Sequence, residues 1–172
     1  MAPVNSLSRL TARSALYVIL DAVERDSRHL IVTHLDVLLE AKSIFSDHEW
    51  EKVQNRHKQD QETDTDESLE PPTSILCNYL DFSDPFQILS RHKNSLPDSV
   101  KTHMVLASES EQILSPIRKR VMHGRPLNDT DFEVGLQTAQ NLISAGKDIW
   151  TALDDVLQRL DYDPNFVLGV DV

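Results

Sequence analysis

Arg118 and His123 are the two side chains in this sequence best suited to chemistry on an anion. A guanidinium is permanently charged and offers a planar fork of donors that fits a phosphate, and an imidazole both takes and gives a proton near neutral pH. The two stand within residues 115–127 with four residues between them. In an unbroken helix, positions five steps apart point about 140° away from each other and cannot share a target. Gly124 and Pro126 supply a stop, because glycine suits the left-handed position past a helix end and proline cannot continue the hydrogen-bond ladder. Ending the helix there frees the imidazole. Lys119, Arg120 and Arg125 surround the pair and fit either phosphate contacts or a solvated surface. Taken on residue types alone, Arg118 also fits an arginine paired with a carboxylate near a helix seam, and His123 a histidine capping a free carbonyl.

The elements that must position this pair are helical. Apolar residues recur at three- and four-residue steps through Val100, Met104, Ala107, Leu114, Ile117 and Val121, which predicts one long helix with Arg118 on or beside its core-facing stripe. Pro116 either kinks that helix or opens a fresh one capped by Ser115. Upstream, residues 7–45 carry helical spacing through Leu16, Ile19, Leu20 and Val23, then Ile31, Leu35, Leu38 and Phe45, which fits two helices or one bent helix, with Asp26 and Ser27 able to cap a restart between them. Ser46 and Glu49 form a capping-box pattern opening a helix that fades near His57. Residues 75–89 supply core positions around a break at Asp84 and Pro85, and residues 128–131 can cap a final pair of helices.

Composition agrees with this plan. The chain has 172 residues, 40% hydrophobic and 26% charged, and only four glycines and eight prolines. That is too few turn formers for a sandwich or barrel, so the expected fold is all-α, a bundle of four to six helices spanning residues 1–164. Residues 59–73 are acidic, nearly free of apolar side chains and closed by two prolines, and are expected to form a flexible insertion. Residues 165–172 are apolar and β-prone, and are expected to lead into a following module.

A net charge of −11 argues against a protein that coats nucleic acid, but the cations around His123 leave room for one basic site. The longest apolar run is far too short for a bilayer, no signal-peptide pattern opens the sequence, and Cys77 is alone, so a cytoplasmic protein with no membrane contact is expected. No phosphate-cradling glycine loop, zinc-hydrolase motif or serine-hydrolase signature is present, and no cofactor or metal is expected.

The stretch around Arg118 and His123 resembles the signature of the HEPN superfamily, an arginine followed after four to six residues by a histidine. The wording from Arg120 to Leu127 is similar to the HEPN subgroup that precedes STAND-type NTPase modules in bacterial defence proteins, and residues 79–84 are similar to that subgroup's preceding segment. The resemblance implies a metal-independent endoribonuclease working as a homodimer, with paired motifs forming one composite cleft. Arg118 and His123 would be catalytic, RNA the substrate, and Lys119, Arg120 and Arg125 its phosphate contacts. It also implies a fused or associated STAND sensor module, or an antitoxin, as a partner. The alternative is a non-catalytic HEPN adaptor that oligomerises or binds RNA or a nucleotide. Lys119 departs from the family pattern, where a polar residue, often Asn, follows the arginine; a lysine cannot accept a hydrogen bond.

Overall fold

The computed structural model describes residues 9–60, 71–163 and 165–168. Among these residues the secondary structure is helical with no strand, as the apolar spacing predicts. The α-helices are α1 (Arg9–His34), α2 (Ala41–Ile44), α3 (Asp47–Asp60), α4 (Thr73–Leu76), α5 (Asp84–Arg91), α6 (Asp98–Lys101), α7 (Met104–Met122), α8 (Asp131–Gly146) and α9 (Thr151–Tyr162). Three of them, α2, α4 and α6, are single turns, and short 3-10 turns follow at Cys77–Tyr79, Lys93–Ser95 and Phe166–Leu168. Six helices of eight residues or more remain, the upper end of the expected number. No helix among the described residues is long and apolar enough to cross a membrane.

The chain divides into two compact units. The first joins residues 9–26 of α1 to most of α7, α8 and α9, a helical bundle whose core is built on Leu16, Ile19, Leu114, Leu142, Trp150 and Leu153, each at most 1% exposed. Apolar burial of this kind contributes about 1.5–3 kcal/mol per large side chain and is what holds the bundle together. Gly135 lets α8 approach α1 closely: a Cβ there would lie 2.6 Å from Leu16 Cδ2. The second unit, residues 27–105, holds the end of α1, helices α2 to α6 and the start of α7. Its core includes Ile31, Leu35, Ile44, Val53, Leu76 and Ile88.

Several local expectations change. Helix α1 does not restart at Asp26 and Ser27. The Asp26 carboxylate, 3% exposed, accepts instead from the amides of Ala152 and Leu153, both at 3.0 Å, and so caps α9. Because α1 ends at His34, Leu38 falls off the helical stripe and is 61% exposed. The long helix expected from Val100 is split: α6 ends at Lys101 and α7 begins at Met104, with the Thr102 hydroxyl between them donating to the carbonyls of Asp98 at 3.1 Å and Ser99 at 3.5 Å. Pro116 lies inside α7 without ending it; its exposed ring sits between the buried Leu114 and Ile117, which keep the helix against the core on both sides.

The Ser46 capping box is present in both directions, with the Ser46 amide donating to Glu49 Oε2 at 2.6 Å and the Glu49 amide donating to Ser46 Oγ at 3.3 Å. The helix it opens runs on to Asp60, past His57. Residues 61–70 of the expected acidic insertion lie outside the described residues. At its margins Gln59 and Asp60 complete α3, and Thr73 is buried at the start of α4 with its hydroxyl donating to the Asp36 carboxylate. The apolar tail forms a 3-10 turn at Phe166–Leu168, and residues 169–172 lie outside the described residues.

Candidate functional site

The residues expected from the sequence to form the site lie at the C-terminal end of α7, where the main chain is held by backbone and side-chain hydrogen bonds. Gly124 adopts φ 63°, the left-handed conformation that only glycine enters without strain. The Arg125 amide donates to the Arg120 carbonyl at 3.0 Å and the Gly124 amide to the Val121 carbonyl at 3.4 Å, the paired bonds of a Schellman stop. His123 thus follows the last helical residue, Met122, and its side chain is exposed. A residue that sequence reasoning missed completes the stop. Arg13 of α1 donates from Nη1 to the carbonyls of Arg120 at 2.9 Å and Val121 at 3.0 Å, and from Nη2 to that of Arg125 at 2.5 Å.

The expected site residues separate into three groups. Arg118 lies within α7 with its side chain 26% exposed, and its Nη2 meets Glu24 Oε2 at 3.5 Å, the carboxylate partner near a helix seam that residue type alone suggests. Together with Tyr17, Leu20, Asp21, Glu24 and Met122 it lines a depression of about 20 Å³. His123 is not part of that lining. Arg120 is committed elsewhere: its Nε and Nη2 donate to Asp131 at 2.7 and 2.6 Å in a bidentate fork, and Asp131 also accepts from the Asn128 amide at 2.8 Å. Lys119, His123 and Arg125 are exposed, and none of their side chains makes a hydrogen bond or ion pair among the described residues.

Electrostatics follow the same division. Burial alone would raise the Asp131 carboxyl, but the Arg120 fork and the Asn128 amide outweigh it and hold the group below the ordinary value of 3.8. The fork in turn holds the Arg120 guanidinium above its usual range. Glu24 and Asp21 place negative charge beside Arg118, so an anion arriving at this guanidinium competes with a carboxylate already 3.5 Å away.

A second concavity, of about 240 Å³, is lined by Arg13, Ser14, Tyr17, Val18, Val121 and Val167. Residues 79–84, singled out in the sequence, form part of an ionic network in the second unit. Lys52 bonds Asp81 at 3.1 Å and also Asp84, and Arg56 bonds the Tyr79 carbonyl at 2.7 Å and Asp81 at 2.9 Å. Cys77 is buried, and burial pushes its thiol up to about 12, so it is chemically quiet. Among the described residues no three His, Cys, Asp or Glu side chains are grouped to hold a metal ion.

Arg13, Glu24 and Asp131 are the participants that sequence reasoning missed or placed in another role. Asp131 had a partial signal, since it stands where a cap for α8 is expected and does reach back to the Asn128 amide. Arg13 and Glu24 had none, being 107 and 94 residues from the groups they meet. No family model, no curated protein and no solved structure matches this chain.

Proposed function

We propose that this chain is a HEPN-type endoribonuclease that cleaves RNA without a metal, acting as a homodimer in which the ends of two α7 helices share one cleft. In this reading a ribose 2′-hydroxyl attacks the adjacent phosphorus while His123 takes its proton. The bond from phosphorus to the 5′ oxygen breaks, that oxygen acquires a proton, and the products are a 2′,3′-cyclic phosphate and a free 5′-hydroxyl. Arg118 holds the phosphate and offsets the charge that grows on its oxygens. Lys119 and Arg125 meet flanking phosphates, a role their exposure allows.

The observation that carries the reading is the helix stop at Gly124, which leaves His123 exposed one residue beyond α7 and within two turns of Arg118. The His123 amide still donates to the Lys119 carbonyl at 3.3 Å, so the two side chains leave the helix axis about 140° apart, and in this reading it is the shared cleft of the dimer that brings them to one phosphate. A second reading, a non-catalytic HEPN adaptor, is favoured by the Arg118 pairing with Glu24 and by Lys119 in the position where the HEPN pattern has a polar residue, often Asn.

Labelled RNA incubated with the purified protein in chelator separates the two. The nuclease reading expects cleavage to cyclic-phosphate ends, and a loss of about 10²- to 10⁴-fold in His123→Ala, with a similar loss in Arg118→Ala. Intact RNA under conditions where the protein is dimeric, or cleavage by His123→Ala at the wild-type rate, sinks the reading.

A further inference from the structure

Every bond that Arg13 makes at the end of α7 lands on main chain. Two of its three carbonyl partners, Arg120 and Val121, precede His123, and the third, Arg125, follows Gly124. The Arg120 and Val121 carbonyls already accept the Schellman bonds from the Arg125 and Gly124 amides, and Arg13 adds a second donor to each. Here one guanidinium fork spans the point where the backbone changes hand, at Gly124. It ties the turn on both sides of His123 to α1, the same helix that presents Glu24 to Arg118. The His123 side chain makes no hydrogen bond among the described residues, so the backbone of the turn is what sets where its Cα–Cβ bond points and which rotamers reach a bound anion.

We propose that Arg13 is a positioning residue for His123: by clamping the carbonyls of Arg120, Val121 and Arg125 it fixes the turn from which the imidazole projects, and so fixes the imidazole against an anion held at Arg118. The catalytic consequence rests on the nuclease reading, and the geometric one does not. A positive charge near a helix C-terminus also offsets the helix dipole, and a lysine does that as well as an arginine. What a lysine cannot do is bridge three carbonyls from one rigid plane. Arg13→Lys therefore keeps the charge and removes the fork, while Arg13→Gln removes both.

The test compares wild type with these two variants by amide hydrogen exchange, by the His123 imidazole resonance in NMR, and by RNA cleavage kinetics. Loss of the fork is expected to raise exchange at the Arg125 amide about 10-fold, because the Schellman turn opens more often. The His123 signal, single in wild type, should broaden or split in both variants. Misplacement of the imidazole should lower kcat about 10²-fold with KM unchanged. Gly124→Ala, which strains the same turn from its other side, should reproduce the pattern. Unchanged exchange at Arg125 overturns the proposal, and so does a variant that loses only melting temperature while keeping kcat and the His123 signal. A wild type that leaves RNA intact removes the nuclease reading, and exchange at Arg125 together with the His123 signal then decides the role of Arg13.

Discussion

The network around residues 79–84 and the C-terminal end of α7 both gather basic side chains, yet they use them differently. In the first, Lys52 and Arg56 are consumed by Asp81, Asp84 and the Tyr79 carbonyl, and nearby Arg91 closes on the buried Glu49 at 2.5 Å. In the second, two cations are consumed and others are not. Arg13 and Arg120 are spent on carbonyls and on Asp131, while Lys119, His123 and Arg125 face solvent with no side-chain bond among the described residues. Arg118 stands between these states, with one carboxylate oxygen at 3.5 Å against the 2.6 and 2.7 Å of its neighbour Arg120. A short bidentate pair costs more to open than a contact of 3.5 Å. The closed network thus serves folding, and the α7 end keeps cations that folding does not use.

The sharpest way to break that contrast is to open the closed network. Glu49 is 5% exposed, receives the Ser46 amide and the Arg91 guanidinium, and completes the cap of α3. Glu49→Ala removes a cap and leaves Arg91 without its carboxylate, a loss of about 3 kcal/mol. That corresponds to a fall of about 8 °C in melting temperature for a chain of this size, measured by calorimetry. His123→Ala, at the open end, should stay within about 2 °C of wild type, since surface changes away from buried networks cost little. Equal destabilisation by the two substitutions would erase the distinction.

How much of this was legible in the sequence depends on the distance between partners. The capping box of α3 could be read because Ser46 and Glu49 are three residues apart, and the stop at Gly124 because glycine and proline punctuate chains locally. The carboxylate partner of Arg118 could be expected as a type, but not as Glu24, 94 residues earlier. Asp26 shows the limit best. Its side chain marked it as a helix cap, but its spacing assigned it to α1, whereas folding delivers it to the first turn of α9, 126 residues away. Arg120 read as a phosphate contact because Asp131 lies on another helix. Local punctuation is written in a few residues; long-range ion pairs are decided by how helices pack.

Acid gives a smaller, graded probe of the same contrast. Burial would raise Glu49, Asp81 and Asp131, but in each case hydrogen bonds and nearby positive charge from Arg91, Arg56, Lys52 or Arg120 win and hold the carboxyl low. A carboxyl held low in the folded state binds fewer protons there than in the unfolded chain. Its contribution is complete above the ordinary value and is lost as pH falls through the depressed one. Melting temperature should therefore drop as pH is lowered beneath 4.5 and further beneath 3.8, the ordinary Glu and Asp values. Lys52 mirrors this at the alkaline end: its burial is outweighed by Asp84 and Asp81, its ammonium is held above 10.5, and its contribution disappears as pH rises through that raised value. Asp131→Asn should lower stability near neutrality by about 2 kcal/mol and flatten the acid limb. An acid limb as steep in the variant as in wild type would mean that Asp131 carries none of it.

The finest probe is at the open end, where Lys119 has no bond among the described residues for a substitution to break. Lys119→Asn should leave stability within about 0.5 kcal/mol of wild type, as is typical of surface changes. If the α7 end meets RNA, Lys119 neutralises one phosphate, and the bound strand releases one fewer condensed counterion when it is replaced. The slope of log affinity against log salt should then shrink by about 0.7 for single-stranded RNA, measured by fluorescence anisotropy across a salt series. Arg120→Gln supplies the contrast: its guanidinium is already neutralised by Asp131, so it should lose stability while the salt slope stays unchanged. A slope unaltered in Lys119→Asn but reduced in Arg120→Gln would reverse the division between open and closed cations, since it would place the RNA on the guanidinium that folding has already engaged.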